Sequence, residues 1–493
     1  MPELPTELLL RISNFIPEDE LPALIGVSLT FYNLVLDLRY SKIRLETVDA
    51  RTERRLQRLR RAFHHSVAML VSMFNRDPVP ASRVRQLFIH LPATAAAPEP
   101  PLTPSLLERI FSGTAQKPPA SSPSTEHLIE SLILVFPGLV NLTCFEFEAW
   151  DMAPEHNLQR FFRSAWAAFG RQLRTLSVGG RPKTYRQIVA SKPELVSCTA
   201  LSLQFAHESE AKASAAVEDI MVESVAPFIN GLSSHLESLK IWSLLALDLS
   251  ALFLHLGHFP RLHDFHLLAQ FNNAFSNPMG LTGLLEVNSS SLDTVTLRLN
   301  PAGNSMDPST EQQLAQWLLS HQAHPSVMRN LKTLNMYPTT LSSGFDALVM
   351  YLQRSTDSLT SLAVKDRYLS LDEVETLLSP VAHRVADDGL KSLRLNVRAW
   401  SADLFDLLAS RLPGLKSLSL YVGGSQPHHA ATKLFFAGME NRSFKSWKLY
   451  DIGVWQGGSE VLPGTMRLLA DCIPSIQSFW GNGHMLGDRK TYE

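Results

Sequence analysis

The stretch HLGHFPRLHDFH crowds His255, His258, His263 and His266 into twelve residues, the spacing at which a metal site would first be sought. Ligation needs several imidazoles to converge on one point. His255 and His258 precede the break at Pro260, while His263 and His266 are three apart on an extended segment and so face opposite sides. The arrangement argues against a metal. Asp387 and Asp388 adjoin in a turn and read as a solvated cap. Cys144, Cys198 and Cys472 lie far apart, form no CxxC pair, and read as free thiols with neither disulfide nor zinc. There is no Walker loop, no G-x-S-x-G elbow and no G-x-G-x-x-G after a strand. These residues point to no catalysis and no cofactor, and so to a protein that works by binding.

The elements that carry them are repetitive. LKSLSL from Leu415 echoes LKSLRL from Leu390, and the pattern apolar-x-x-apolar-x-apolar recurs along the chain. It appears as VRQLFI from Val84, LTCFEF from Leu142, LRTLSV from Leu173, LESLKI from Leu236, LKTLNM from Leu331 and FKSWKL from Phe444, with a degenerate IQSFWG from Ile476. From Leu142 onward the intervals run from 25 to 39 residues. Positions four to eight alternate like a strand with one buried face. Between the phrases lie helical patterns such as 156–170, 310–322 and 401–412, each long enough to return the chain to the next strand. One strand and one helix cannot bury their apolar faces alone, but stacked units can share a continuous interior. Helices need more width than strands, so the stack should curve, with positions five and seven of each strand facing out from the inside of the curve. Those positions carry Trp242, Tyr337, Lys365, Arg394, Tyr421, Lys448 and Tyr450, a mixture of rings and cations suited to a protein interface. They are the expected substrate-binding residues.

With leucines at one, four and six, this pattern resembles the leucine-rich-repeat family over residues 84–490, although the Asn usual near position nine is mostly missing. The resemblance implies an α/β fold with a curved parallel sheet inside and helices outside.

Residues 1–46 do not follow the repeat. LPTELLLRISNFI places Leu8, Ile12, Phe15 and Ile16 on one helical face before Pro17, LPALIGVS begins a second element, and TFYNLVLDL reads as a third helix. Thr30 would cap that helix, with Leu29 stapled against Leu34. In so small a core Leu4, Pro5, Leu9, Leu10 and Leu24 cannot all point inward, and leftover apolar surface asks for a partner. The phrasing LPxELLLxI, then D-x-L, then VS-x-x-F-x-x-L is similar to the F-box, the adaptor-binding module of cullin-RING ubiquitin ligases. The resemblance implies contacts to a Skp-type adaptor from Leu4, Pro5, Leu8, Leu9, Leu21, Leu24 and Val27, with Phe31 holding the third helix. It implies a substrate receptor of an SCF-type ligase; the alternative is a repeat scaffold that joins no ligase.

Residues 47–83 read as a helical linker, including an amphipathic helix over 51–74 with a basic, solvated side, and the Pro-rich stretch near 92–126 as a disordered loop. A length of 493 residues suits a repeat stack better than one compact core. The net charge of −2 gives no reason to expect nucleic acid or an anionic membrane as partner. No apolar run reaches the eighteen or so residues needed to span a bilayer, and the acidic N-terminus is unlike a secretory leader, so a cytoplasmic or nuclear location is expected.

Overall fold

The repeated phrase becomes a strand because its apolar residues at positions four and six share one side of the pleat and its polar residues at five and seven share the other. In the computed structural model the described residues are 5–13, 15–17, 20–24, 26–46, 78–90, 125–150, 158–205, 214–243, 247–271, 275–300, 306–382, 389–423, 428–456, 459–460 and 463–480. The basic helix expected over 51–74 and the loop expected from 92 lie outside them, although Thr125–Val135 is a helix.

The chain divides into two units, Met1–Leu236 and Glu237–Glu493. In the first, helix α1 (Thr6–Ser13), a 3₁₀ turn at Leu21–Leu24 and helix α2 (Leu29–Tyr40) lead into five parallel strands. These are β1 (Lys42–Glu46), β2 (Gln86–His90), β3 (Cys144–Ala149), β4 (Thr175–Gly180) and β5 (Ala200–Phe205), each paired with the next in chain order. The second unit continues the plan with β6 (Ser238–Ser243), β7 (Asp264–Ala269), β8 (Thr294–Arg298), β9 (Thr333–Met336), β10 (Ser361–Leu369), β11 (Ser392–Val397), β12 (Ser417–Val422) and β13 (Asp451–Gln456). These eight are parallel neighbours in sequence order, and a short β14 (Ser459–Glu460) pairs antiparallel with β13. Each parallel pair is joined by an intervening segment that in most cases is helical, which is the repeat architecture expected for leucine-rich units.

One hydrogen-bond rule sets the register. The carbonyl at position two of a phrase accepts the N–H groups of positions two and three of the next. Arg85 O accepts from Thr143 and Cys144, Lys391 O from Lys416 and Ser417, and Lys416 O from Tyr450 and Asp451, all at 2.9–3.1 Å. Side chains at positions one, four and six then fill the interior, as with Leu390, Leu393 and Leu395, each at most 1% exposed.

The same rule corrects two assignments. Ser41 O accepts from Arg85 and Gln86, so the sheet begins at Lys42, inside the segment assigned to the N-terminal module. Tyr40, the last residue of α2, takes the buried first position. Near the C-terminus the strand is not FKSWKL but LYDIGV, from Leu449, because Asp451 pairs with Ser417 and Ile452 with Leu418. Both readings match the apolar spacing and both contain Leu449; pairing with β12 chooses between them. IQSFWG contributes a single parallel bridge, Ser478 to Asp451.

Helix ends follow local chemistry. Asp307 caps Pro308–Ser320 by accepting from the N–H groups of Ser309 and Thr310, and Ser401 caps Ala402–Arg411 by accepting from Leu404 N–H. The cap of α2 is Ser28, whose hydroxyl accepts from Phe31 N–H at 3.2 Å, rather than Thr30. Leu29 is therefore already helical and is exposed, not stapled against Leu34.

Candidate functional site

The N-terminal helices surround a very small core. Leu21, Phe31 and Val35 are at most 5% exposed, and Leu9, Ile16, Leu24 and Leu34 pack partly against them. This splits the face expected of α1 and the turn after it. Ile16 turns inward with Leu9 and Ser13, while Leu8, Ile12 and Phe15 form an outward apolar stripe with Phe15 at 88% exposure. Val27 and Leu29 are exposed beside it in sequence, at the start of α2. Of the residues assigned to adaptor contact, Pro5, Leu8 and Val27 lie on the surface, Leu9 and Leu24 are shared with the core, and Leu4 lies outside the described residues. Leu21 is a correction: at 4% exposure it belongs to the core, because the tight 3₁₀ turn carries it inward. Phe31 is buried as the anchor of α2. On its other side α2 is tied to the first repeats, since Arg83 donates to Asp37 Oδ1 at 3.1 Å and to Asn33 Oδ1 at 2.6 Å.

The outward strand face of the second unit carries a second cluster. On neighbouring strands β11, β12 and β13, Arg394, Tyr421 and Trp455 form a continuous stack. The Arg394 guanidinium lies 4.2 Å from the Tyr421 ring centroid, and the Tyr421 and Trp455 rings are stacked at 4.7 Å and 14°. Gly453, at position five of β13, makes the stack possible, because a Cβ there would press into the Trp455 ring. Lys365 at position seven of β10 shares this face, and burial, then the charges of Arg394 and Arg298, push its pKa down to about 8 against the pull of Asp366. Arg298 on β8 faces Asp366 at 3.5 Å.

A bulge in β10 sets up this corner. The register with β11 jumps from Val364 to Tyr368, and Asp366 takes a left-handed conformation with φ of 60°. Arg367 is thereby turned inward and is 5% exposed. It donates to Thr339 O at 2.8 Å, Leu341 O at 2.9 Å and Glu373 Oε1 at 2.5 Å, and lies over the Phe345 ring. Burial raises the Glu373 pKa, but the Ser370 N–H and Arg367 hydrogen bonds, with the Arg367 and Arg398 charges, outweigh it and hold the carboxyl below its usual range. Tyr368 emerges on the other side of the bulge at 47% exposure, its ring against Gly423.

Among the residues assigned to substrate, Lys365, Arg394 and Tyr421 are brought together. Tyr337 is not on the surface: it is 3% exposed and donates from its hydroxyl to Glu311 Oε1 at 3.0 Å, and burial followed by the Glu311 charge pushes its pKa up. Trp242 is 39% exposed on β6, where its cross-strand neighbour is Leu268, five strands from Arg394. Lys448 and Tyr450 precede β13 and so do not occupy positions five and seven; Gly453 and Trp455 do. Arg298, at the outward position seven of LDTVTL, joins this cluster although it is not among the residues assigned to substrate, and Trp455 is found only when the last phrase is read from Leu449.

The four histidines do not converge. His255 Nδ1 pairs with Ala251 O at 2.8 Å, His263 Nδ1 with Ser291 O at 2.9 Å and His266 Nε2 with Asp264 Oδ1 at 2.6 Å. Among the described residues no group of three or more His, Cys, Asp or Glu could hold a metal ion, and no helix is long and apolar enough to cross a membrane. The three cysteines are free thiols.

No protein-family model and no curated protein matches the chain. Among solved structures the chain is similar to one in the crystal structure of the yeast Rad7 and Elc1 complex, at 12% identity and a TM-score of 0.40, with 98% of each chain covered.

Proposed function

We propose that this chain is the substrate receptor of an SCF-type, cullin-RING ubiquitin ligase, docking on a Skp-type adaptor through its N-terminal helices and on a protein substrate through the strand face of its repeats. The observation that carries the reading is the outward stripe of Leu8, Ile12 and Phe15, with Val27 and Leu29 also exposed, around a small core formed, among the described residues, by Leu21, Phe31 and Val35. Apolar surface of that density on so small a module is stabilised by a partner that covers it. The chain would supply proximity between substrate and a ubiquitin-carrying enzyme, and no nucleophile of its own.

A second reading is a repeat scaffold that joins no ligase, its N-terminal helices serving as an end cap. It is favoured by α2, which buries Leu36 and Tyr40 and is tied by Arg83 to the first repeats. Cap and dock use different faces of the helices, so one experiment separates them. The full chain should co-purify with a Skp-type adaptor, and Leu8→Glu with Ile12→Glu should abolish capture while leaving the melting temperature unchanged. Capture that survives the double substitution, or is absent from the unaltered chain, sinks the ligase reading.

A further inference from the structure

The outward face of β8 to β13 has a distinct chemistry. Arg298, Lys365 and Arg394 lie on it with Asp366 beside them, so among these four side chains positive charge exceeds negative by two; Asp451, on the same side of β13 as Gly453 and Trp455, is 0% exposed and accepts from the Ser417 hydroxyl. Glu311 stands at its border, engaged by the Tyr337 hydroxyl and by Thr340 N–H. Lys365 makes no hydrogen bond or ion pair with another described residue; the charges of Arg394 and Arg298 repel it and that of Asp366 attracts it.

The cations do not converge. β8 and β11 are three strand spacings apart, about 14 Å at the usual separation of neighbouring strands. Arg394 is laid flat toward β12 by Tyr421, away from β8, while Arg298 is held by Asp366. A single phosphate could not engage all three, whereas carboxylates spaced along an extended segment could. Three cations broken by a carboxylate are also too few to follow a nucleic-acid backbone, which carries a charge every few ångströms. Beyond the cations, the stacked rings of Tyr421 and Trp455 present a flat apolar surface, and position five is kept low by Ala363 on one side of Arg394 and by Ser419 and Gly453 on the other. A guanidinium stacked on a ring has its N–H edge oriented for a carboxylate.

We infer that the strand face from β8 to β13 binds an acidic segment of a protein partner, with Arg394 and Lys365 on its carboxylates and the Tyr421–Trp455 stack against an adjoining aromatic side chain. The inference rests on the receptor reading only in taking the occupant of this face to be a protein. Arg298 contributes through its position beside Asp366, and Gly453 is a positioning residue because it seats Trp455.

The test uses the full chain and a fluorescein-labelled peptide of four Glu-Tyr repeats in fluorescence anisotropy, against peptides of four Gln-Tyr and four Glu-Ala repeats. The Glu-Tyr peptide should bind tightest, and raising salt from about 0.05 to about 0.3 M should weaken it. Lys365→Gln with Arg394→Gln should weaken it at least about tenfold without moving the melting temperature. Arg394→Lys should fall between, since it keeps the charge but loses the stacked plane. Trp455→Ala should weaken the Glu-Tyr peptide and leave the Glu-Ala peptide unaffected. Equal binding of the Gln-Tyr peptide, insensitivity to the Lys365 and Arg394 substitutions, tighter substitution-sensitive binding of a phosphoserine peptide or of oligothymidine, or no binding at all would each overturn the inference. Adaptor capture is read separately: a chain that captures adaptor but ignores acidic peptide overturns this inference alone, and the reverse result overturns the ligase reading alone.

Discussion

Single side chains set the geometry of the second unit, and Arg367 shows how little of that is visible in sequence. Nothing in VKDRYL separates Arg367 from Lys365; only the left-handed Asp366 turns one charge inward and leaves the other on the face. Removing the guanidinium would strip two carbonyls and Glu373 of their donor, so Arg367→Ala should destabilise the unit by about 3 kcal/mol in urea unfolding. His321 makes a second residue-level case. The Tyr351 hydroxyl donates its proton to Leu318 O, so it accepts from His321 Nδ1–H, while Nε2 accepts from Thr282, which in turn accepts from Trp317 Nε1–H. This network fits a neutral ring, and burial, then the charges of His324 and Arg354, lower its pKa from 6.5 to about 4. Between those values the unfolded chain binds the proton and the folded one does not, so stability is present above pH 6.5 and is lost as pH falls toward 4. The loss should reach roughly 3 kcal/mol across the window, and His321→Gln should flatten the pH dependence of thermal unfolding there.

Elements were legible where their signal was local and repeated. The helices over 159–169, 308–320 and 402–411 lie within three residues of their expected spans, and caps such as Asp307 and Ser401 are written next to the apolar stripe they start. Strand register was less legible at the last full repeat. Phe444, Trp447 and Leu449 match the spacing as well as Leu449, Ile452 and Val454 do, and Trp447 is buried too, stacked edge-on against Phe405. The ladder to β12 selects the second set. Accordingly Ile452→Ala should cost about 2–5 kcal/mol and Lys448→Ala less than about 0.5 kcal/mol in denaturant unfolding; equal costs would contradict the register. On α1 the expected face was split for a related reason. The helix has apolar residues on both sides, at Leu8 and Ile12 as well as Leu9, so periodicity alone cannot say which side meets Phe31 and Val35.

At the scale of the molecule, within each unit every described parallel strand pairs only with its neighbours in chain order, so a lesion should act locally. Leu393→Ala, at a side chain 1% exposed, should speed amide exchange in β10 to β12 and leave β2 to β4 unchanged when followed by hydrogen-exchange mass spectrometry. Uniform acceleration across both units would contradict that picture. The sequence by itself determined the repeat, the parallel α/β plan, the interior leucines and the surplus of apolar surface at the N-terminus, because each is a count or a period within one short segment. Tertiary structure alone decided which face of α1 is outward, where the first and last strands begin, and that Lys365, Arg394, Tyr421 and Trp455 meet. The first depends on packing against Leu21, Phe31 and Val35, and the other two on pairing between strands 25 or more residues apart, where several pairings satisfy the same local pattern until backbone hydrogen bonds choose one.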